Sequence, residues 1–245
     1  GHFRIFQLKD GHRFSTDDVL TAWYGSSWCP SARRVLDLGS GIGSVGMIAA
    51  WRLVGARFVT VEAQSASVAL ARKSARYNGL ESRYDIREGD FRDAGVLAVE
   101  EKFDLILGSP PYWPTSDGVQ SEHPQKQACR FELRGSVAAY CEVAARHLEN
   151  GGVFACVFPV QPIEQRLRVE QAAKDSGMVI VRSRNVVLKE GEPPLLSLFV
   201  MTRAEFLPEA MRGRSFVEPD LVIRRLDGSV SVEYSAVKLS FGFPP

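Results

Sequence analysis

The sequence predicts an α/β fold in which a doubly wound, mostly parallel β-sheet is covered by helices on both faces. Short apolar runs alternate with segments of helical periodicity along most of the 245 residues, and a glycine-rich turn follows the first run. We find no internal repeat and no linker of distinct composition. A single domain is therefore expected over residues 1–245, with residues 1–30 as an N-terminal appendage.

The first half of the chain contains four predicted strands with two clear helices between them. The strands span Arg33–Leu38, Phe58–Glu62, Arg83–Arg87 and Phe103–Leu107. The helices span Ser44–Val54 and Ser65–Tyr77, and the second ends at the stop signal Asn78-Gly79. This alternation is typical of parallel strands joined by helical crossovers.

The second half begins with a long polar segment, Trp113–Arg134, that is predicted to be a loop. A helix over Ser136–Leu148 and a fifth strand over Val153–Phe158 follow it. The remaining predicted elements are a helix from Pro162 to about Ser176, strands over Met178–Leu188 and Leu195–Thr202, and a hairpin over Leu221–Tyr234 around Asp227-Gly228-Ser229.

The composition is that of an ordinary globular protein, with 45% hydrophobic and 24% charged residues. The net charge of +1 means that a nucleic-acid partner would require basic residues segregated on one face. The four cysteines form no C-x-x-C pair and lie near no histidine cluster, so no metal site is expected. Without a long apolar run or a signal-peptide pattern, the sequence indicates a cytoplasmic protein with no membrane contact.

Gly39, Gly41 and Gly43 follow the first predicted strand directly, where glycine lets the backbone turn tightly and approach a ligand. Glu62 ends the next strand, at the place where a doubly wound fold positions a carboxylate for ribose hydroxyls. Asp90 follows the third strand and can accept from an adenine amino group. Ser40, Ala63 and Phe91 adjoin these residues and complete the predicted nucleoside site.

Asp37 stands two residues before the first glycine and bears on the charge of the cofactor. In a dinucleotide dehydrogenase, this carboxylate would lie beside a pyrophosphate and repel it. It suits a cationic cofactor with a sulfonium and an ammonium group. The sequence therefore favours S-adenosylmethionine over a nicotinamide dinucleotide.

The segment Ser109-Pro110-Pro111-Tyr112 leaves the fourth strand as a stiff turn, because two consecutive prolines fix two φ angles. The Ser109 side chain and the Pro110 carbonyl can then be aimed at one point, and Tyr112 offers a flat face for stacking a base. Two acceptors on the hydrogens of an exocyclic amine would orient its nitrogen in line with a methyl donor. This arrangement predicts methyl transfer to a planar amine.

The glycine-rich loop paired with this proline turn resembles the class I amino-methyltransferases. Gln7, Asp10–Ala22, Ala128–Gly152 and the terminal DGSVSVEY extend the resemblance to the bacterial tRNA adenine-N6 methyltransferases that modify the purine beside the anticodon of a valine tRNA. The resemblance implies a seven-stranded, Rossmann-like sheet with one antiparallel strand, S-adenosylmethionine as cofactor and tRNA as partner. It also implies that Arg13, Phe14, Ser15 and Thr16, within the N-terminal appendage, cover the cofactor, and that Ser109, Pro110, Pro111 and Tyr112 are catalytic.

The chain departs from that family at Ser109, where the family has Asn. Serine is familiar at this position in cytosine-N4 methyltransferases, so cytosine is an alternative substrate. A protein glutamine or a small amine is another alternative, and a binding module without activity is a third. Trp113 follows the proline turn and enlarges the surface that would bind the substrate. Arg130 and Arg134 flank that surface as candidate phosphate contacts.

Overall fold

The computed structural model describes residues 3–11, 13–113 and 135–244, so nearly all of the predicted loop Trp113–Arg134 lies outside the described residues. Eight strands form one sheet: β1 (Arg34–Leu38), β2 (Arg57–Glu62), β3 (Tyr84–Glu88), β4 (Phe103–Gly108), β5 (Leu148–Pro159), β6 (Met178–Lys189), β7 (Leu196–Arg203) and β8 (Phe216–Arg224). The described helices are α1 (Thr16–Trp28), α2 (Ser44–Arg52), α3 (Ser65–Tyr77), α4 (Val137–His147), α5 (Ile163–Asp175) and α6 (Val232–Leu239). None of these helices is long and apolar enough to cross a membrane.

The strand order in the sheet is β3-β2-β1-β4-β5-β7-β6-β8. Strand β7 runs antiparallel to both of its neighbours, β5 and β6, and the other pairings are parallel. The predicted α/β class with one antiparallel strand is therefore confirmed. The strand count differs, because β8 adds an eighth strand in parallel beside β6, with Val187 opposite Val222.

The predicted hairpin over Leu221–Tyr234 is wrong. Past β8, a tight turn leads to a single antiparallel bridge between Arg224 and Val230, and α6 then begins. Ser231 caps this helix by accepting a hydrogen bond from the Tyr234 amide at 3.0 Å. Tyr234 and Val237 lie three residues apart and are both buried, so helical spacing prevails over the alternating pattern that indicated a strand.

Helices cover both faces of the sheet, as a doubly wound fold requires. One face packs on α1, α2 and α6, with Leu20 and Tyr24 of α1 buried in that core. The other face packs on α4 and α5, with Cys141 and Val169 buried there. Helix α1, which begins at the middle of the segment predicted to be an appendage, is thus an integral layer of the domain.

The first four strands run parallel, so their carboxyl ends meet at one edge of the sheet. Register pairs Leu38 at the end of β1 with both Val61 of β2 and Gly108 of β4. Glu62 pairs in the same way with Glu88 of β3. The turns that follow these strands therefore converge on one crevice, where this fold class binds ligands.

Candidate active site

A cavity opens at this edge of the sheet, between the turns that follow the first four strands and the first turns of α1 and α2. Many of the residues predicted from the sequence line it. They are Asp37, Gly39, Ser40, Gly41, Glu62, Ala63, Asp90, Phe91, Ser109 and Pro111. The structure thus brings the predicted cofactor loop and the proline turn to a single cavity.

The glycine-rich turn has a conformation that other residues adopt only with strain. Gly39 and Gly41 have φ angles of 59° and 55°, in the left-handed region. A Cβ atom on Gly39 would lie 2.0 Å from the Tyr140 hydroxyl oxygen, whereas a Cβ on Gly41 would meet nothing within 4 Å. Gly39 is therefore required for both conformation and space, and Gly41 for conformation.

The carboxylate of Glu62 ties the glycine-rich turn to the end of β2. It accepts hydrogen bonds from the Gly41 amide at 2.8 Å and from the Gln64 amide at 2.7 Å. Glu62 is only 6% exposed, and the part that is exposed faces the cavity. The second predicted acid is thus held in one orientation by backbone donors, which pre-organises it for a ligand.

Asp37 and Asp18 place two further buried carboxylates in the cavity. Asp37 accepts from the Gly46 amide at 2.9 Å, near the start of α2, and burial raises its pKa to about 8. Asp18 accepts from the Ser15 amide at 2.9 Å in a capping box at the start of α1, and burial raises its pKa to about 7. Among the described residues, no cationic side chain offsets the cost of desolvating these two carboxyl groups.

The cavity lining as a whole is acidic. With Asp90, four carboxyl groups face the cavity, and its described lining contains no Lys or Arg. Asp90 itself is engaged by Arg92, whose Nε donates to its Oδ1 atom at 2.8 Å. The carboxyl groups that ionise attract a cationic ligand and repel phosphates. No group of His, Cys, Asp or Glu side chains within the described ranges is arranged to hold a metal ion.

The proline turn presents Ser109 to the cavity but directs Tyr112 into the protein. The Ser109 hydroxyl oxygen is buried and has no hydrogen-bond partner among the described residues. The Tyr112 hydroxyl donates to Asp17 Oδ2 at 2.6 Å, and the ring packs edge-on against Phe158 with centroids 5.7 Å apart. Burial raises the pKa of the Tyr112 hydroxyl well above its usual range. Tyr112 accordingly braces the turn, and stacking of a base on it stays a prediction.

Other predicted residues lie outside the lining. Gly43 is the N-cap of α2, and Pro110 is buried in the turn behind Ser109. Trp113 is 40% exposed at the end of the turn. Arg130 and Arg134 lie outside the described residues.

The residues predicted to cover the cofactor flank the cavity in sequence but do not line it. The Arg13 guanidinium donates to the Lys9 carbonyl at 2.6 Å, and Phe14 lies face-to-face with Phe243. Ser15 is the N-cap of α1 and Thr16 is its first residue. Their role as a cofactor cover stays a prediction.

Sequence reasoning missed Asp17, Asp18 and Tyr140. The two aspartates carry a readable signal, since Ser15 followed three residues later by an acid is a capping box that begins a helix. Tyr140 comes from α4 and packs edge-on against Phe91 at 4.7 Å between centroids. No local pattern distinguishes it from other apolar positions of an amphipathic helix.

Comparison with known proteins gives matches over most of the chain. A model of the methyltransferase small domain family matches residues 26–182. A Shewanella amazonensis protein named tRNA1(Val) (adenine(37)-N6)-methyltransferase is 30% identical over 243 residues, which cover 98% of this chain and 97% of the relative. A Bacteroides thetaiotaomicron protein of the same name is 27% identical over 201 residues, covering 82% and 81%.

Solved structures share the fold. The crystal structure of a predicted O-methyltransferase from Agrobacterium tumefaciens superposes with a TM-score of 0.66 at 17% identity, covering 93% of this chain and 98% of that one. A ribosomal protein L11 methylase from Lactobacillus delbrueckii subsp. bulgaricus superposes with a TM-score of 0.52 at 17% identity, covering 78% and 80%. At such identities the likeness concerns the fold alone.

Proposed function

The chain belongs to the methyltransferase small domain family, and from that premise we propose that it transfers a methyl group from S-adenosylmethionine to N6 of an adenine in tRNA. The observation that carries the proposal is the cavity itself, where a glycine-rich turn and buried carboxylates meet Ser109 of the proline turn. Relatives named as tRNA adenine-N6 methyltransferases that align over 81% to 97% of their lengths support the choice of substrate. A tRNA substrate agrees with a cytoplasmic enzyme.

The cavity suits S-adenosylmethionine on two counts. Two buried hydroxyls that line it, those of Ser40 and Ser109, have no hydrogen-bond partner among the described residues. A buried polar atom without a partner is costly, so a bound ligand that satisfies it gains affinity. Glu62 and the carboxyl groups of Asp18 and Asp37, which a cation would favour in their ionised form, match the positive charges of the sulfonium and ammonium groups.

The same charges disfavour a dinucleotide cofactor. A pyrophosphate at the start of α2 would lie close to Asp37, whose carboxylate accepts from the Gly46 amide of that helix. The helix amide that could bind phosphate is therefore already used by an acid of the protein. A cationic nucleoside avoids this repulsion and keeps Glu62 available for ribose hydroxyls.

When bound, S-adenosylmethionine supplies an electrophilic methyl group, and the sulfonium sulfur that carried it becomes a neutral thioether. The protein has to position the amine and accept its hydrogens. The Ser109 hydroxyl oxygen can accept one amino hydrogen, and the buried Pro110 offers a backbone carbonyl for the other. A new N–C bond forms as the S–C bond breaks, and the extra proton on nitrogen passes to water, so no strong base is needed.

A second candidate base is cytosine, methylated at N4, and Ser109 is the observation that favours it. A serine hydroxyl reaches less far than an asparagine carbonyl, so it changes the distance at which an amine is held. The remainder of the cavity does not distinguish the two bases. The Shewanella amazonensis relative, which aligns over 97% of its length, is named as an adenine-N6 methyltransferase. Adenine is therefore the first candidate.

The decisive experiment is mass spectrometry of tRNA nucleosides from cells with and without the gene, together with the purified protein, labelled S-adenosylmethionine and tRNA. We expect N6-methyladenosine to disappear from the deletion strain and to return in vitro. Loss of N4-methylcytidine instead would establish the second candidate. Label that enters a protein extract but no RNA would overturn both.

A further inference from the structure

A second cavity of about 340 Å³ lies between the N-terminal segment, helix α2 and the C-terminal tail. We call it the aromatic groove, and its principal lining residues are Phe3, Phe14, Trp51, Phe241 and Phe243, with Arg4 at its rim. The methyl-transfer chemistry proposed above uses none of these side chains. Five aromatic rings around one open groove require an explanation, because exposed apolar surface of this kind marks binding sites.

The rings pack against one another and differ in exposure, from Phe241, which is 2% exposed, to Phe14 at the open side of the groove. Phe3 packs edge-on against Trp51, with centroids 5.3 Å apart and planes at 89°. Phe14 and Phe243 lie nearly parallel, with centroids 6.4 Å apart and planes at 12°. Phe14 keeps 39% of its surface exposed despite that contact. A flat ligand would therefore meet a pre-oriented aromatic face.

The charge around the aromatic groove is opposite to that of the first cavity, which we call the cofactor cavity after its proposed ligand. Arg4 lines the groove, and no acidic residue is among its described lining residues. Lys9 and Arg13 are exposed on the same N-terminal segment, where Asp10 is the one acid before Phe14. Aromatic faces flanked by cations are typical of sites that bind single-stranded nucleic acid, since bases stack and phosphates pair with the cations.

The aromatic groove adjoins the edge of the sheet at which the cofactor cavity opens. Phe14 lies three residues before Asp17, which holds Tyr112 of the proline turn, and four before Asp18, which lines the cofactor cavity. Three residues span at most about 11 Å, so the Phe14 backbone lies within that distance of the Asp17 backbone. This is close enough for one RNA strand to reach both the cofactor cavity and the groove.

We propose that the aromatic groove stacks an unpaired nucleobase of the RNA strand that carries the target base, with Arg4 and Arg13 facing its backbone phosphates. This inference rests on the proposed RNA substrate. Sequence-specific RNA recognition commonly uses unpaired loop bases that are splayed out and stacked on aromatic rings. The groove fixes the strand, and the cofactor cavity receives the neighbouring base.

The test measures the affinity of the full chain for a fluorescent stem–loop RNA with the valine tRNA anticodon loop, alongside a blunt RNA duplex. Phe14→Leu keeps an apolar side chain without a planar face, and Phe14→Trp enlarges the face. Phe216→Leu is the matched control, because Phe216 is also exposed but begins β8, the last strand of the sheet. The melting temperature of each variant monitors folding.

We expect Phe14→Leu to weaken stem–loop binding about 5- to 150-fold, the equivalent of roughly 1–3 kcal/mol for one stacked base. Phe14→Trp should restore stem–loop binding, and duplex binding should not change in any variant. If Phe14→Leu binds the stem–loop as tightly as the wild type does, and the wild type methylates tRNA, the groove does not bind the RNA. The proposed function would then still stand. An equal loss in Phe216→Leu would also overturn the groove as an RNA site. The same holds if the wild type is a dimer that Phe14→Leu dissociates without loss of RNA affinity.

A wild-type protein that neither binds nor methylates any RNA would remove the proposed function itself. Sedimentation of the wild type and of Phe14→Leu without RNA supplies the oligomeric state that the dimer outcome requires. The two failures are thereby distinguished by the wild-type measurements alone.

Discussion

Tyr112 donates its hydroxyl hydrogen to Oδ2 of Asp17 at 2.6 Å, which joins the proline turn after β4 to the first turn of α1. The next residue, Asp18, lines the cofactor cavity. One helical turn of α1 therefore joins the cavity proposed for the cofactor to the turn proposed for the substrate. A displacement of that helical turn would move residues of both.

Our first prediction concerns this hydrogen bond. Tyr112→Phe removes only the hydroxyl, so we expect it to lower the free energy of unfolding by about 1.5–3 kcal/mol, the range for a hydrogen bond to a charged group. It should also lower kcat for methyl transfer, because the turn that carries Ser109 loses its brace. Cofactor affinity, measured by calorimetry, should stay at the wild-type value.

A double-mutant cycle supplies the control. Asp17→Ala and Tyr112→Phe each remove one partner of the same contact, so the double variant should lose less stability than the sum of the two single losses. Strict additivity in chemical denaturation would show that the two side chains do not interact. It would then leave the reduced kcat without this cause.

A second prediction concerns pH. Burial raises the pKa of Asp37 to about 8 and that of Asp18 to about 7, from the ordinary value of 3.8. A raised pKa in the folded state means that the native protein binds more protons than the unfolded chain between these values. The stability that these two groups contribute is complete below their ordinary pKa of 3.8. It declines as the pH rises from there to about 7 for Asp18 and about 8 for Asp37. The melting temperature of the cofactor-free protein should fall over the same pH range.

S-adenosylmethionine should show the opposite trend. A cationic ligand favours the ionised carboxylates, so its affinity should rise with pH by up to about tenfold per unit for each group that ionises. The increase in melting temperature that it causes should therefore be larger at pH 8.5 than at about pH 6. A thermal shift that is independent of pH would place the positive charges of the cofactor away from both carboxylates.

Asp37→Asn separates charge from shape in a third prediction. The asparagine oxygen can still accept from the Gly46 amide, which holds Asp37 at 2.9 Å, but the side chain cannot ionise. We expect a more stable cofactor-free protein above pH 8 and an affinity for S-adenosylmethionine reduced by about tenfold or more, in line with the loss of one charge contact. Asp175→Asn, at an exposed carboxyl at the end of α5, is the matched control and should change neither quantity.

A fourth prediction addresses Ser109. Ser109→Ala should lower kcat by roughly 10- to 100-fold, because a misaligned amine reacts slowly even when bound. Ser109→Asn supplies a longer acceptor and should retain activity on adenine. Radiolabelled methyl transfer to tRNA measures both, and calorimetry should show unchanged cofactor affinity for the alanine variant. A wild-type kcat in Ser109→Ala would mean that the Ser109 hydroxyl does not orient the amine.

Sequence patterns predicted the part of the site that comes from strand ends. Because parallel strands end at one edge, the position of Gly39, Glu62, Asp90 and Ser109 after successive strands was enough to bring them together. Tyr140 could not be predicted in this way, because it reaches the cavity from α4 by tertiary packing.

Side-chain direction was the other limit. No local pattern indicated that the Tyr112 hydroxyl would bind Asp17 or that its ring would pack against Phe158. The contact between Phe14 and Phe243, which lies on a tail distant in sequence, was likewise not indicated. Such choices depend on which distant partners the fold brings near, and local patterns do not contain them.

The last prediction compares two glycines of one turn. Gly39→Ala and Gly41→Ala both place a side chain in the left-handed region, which costs about 1–2 kcal/mol of unfolding free energy. Only Gly39→Ala also creates a clash, 2.0 Å from the Tyr140 hydroxyl oxygen, and overpacking adds about 1–3 kcal/mol. Gly39→Ala should therefore be the less stable variant in chemical denaturation.

Adding Tyr140→Phe to Gly39→Ala removes the clashing oxygen and leaves the ring carbon Cζ at 3.1 Å from the new Cβ. Part of the lost stability should return in this double variant, whereas Tyr140→Phe should not rescue Gly41→Ala, whose Cβ meets nothing within 4 Å. Equal losses in the two alanine variants would mean that α4 does not approach the turn this closely. Tyr140 would then have no part in shaping the cofactor cavity.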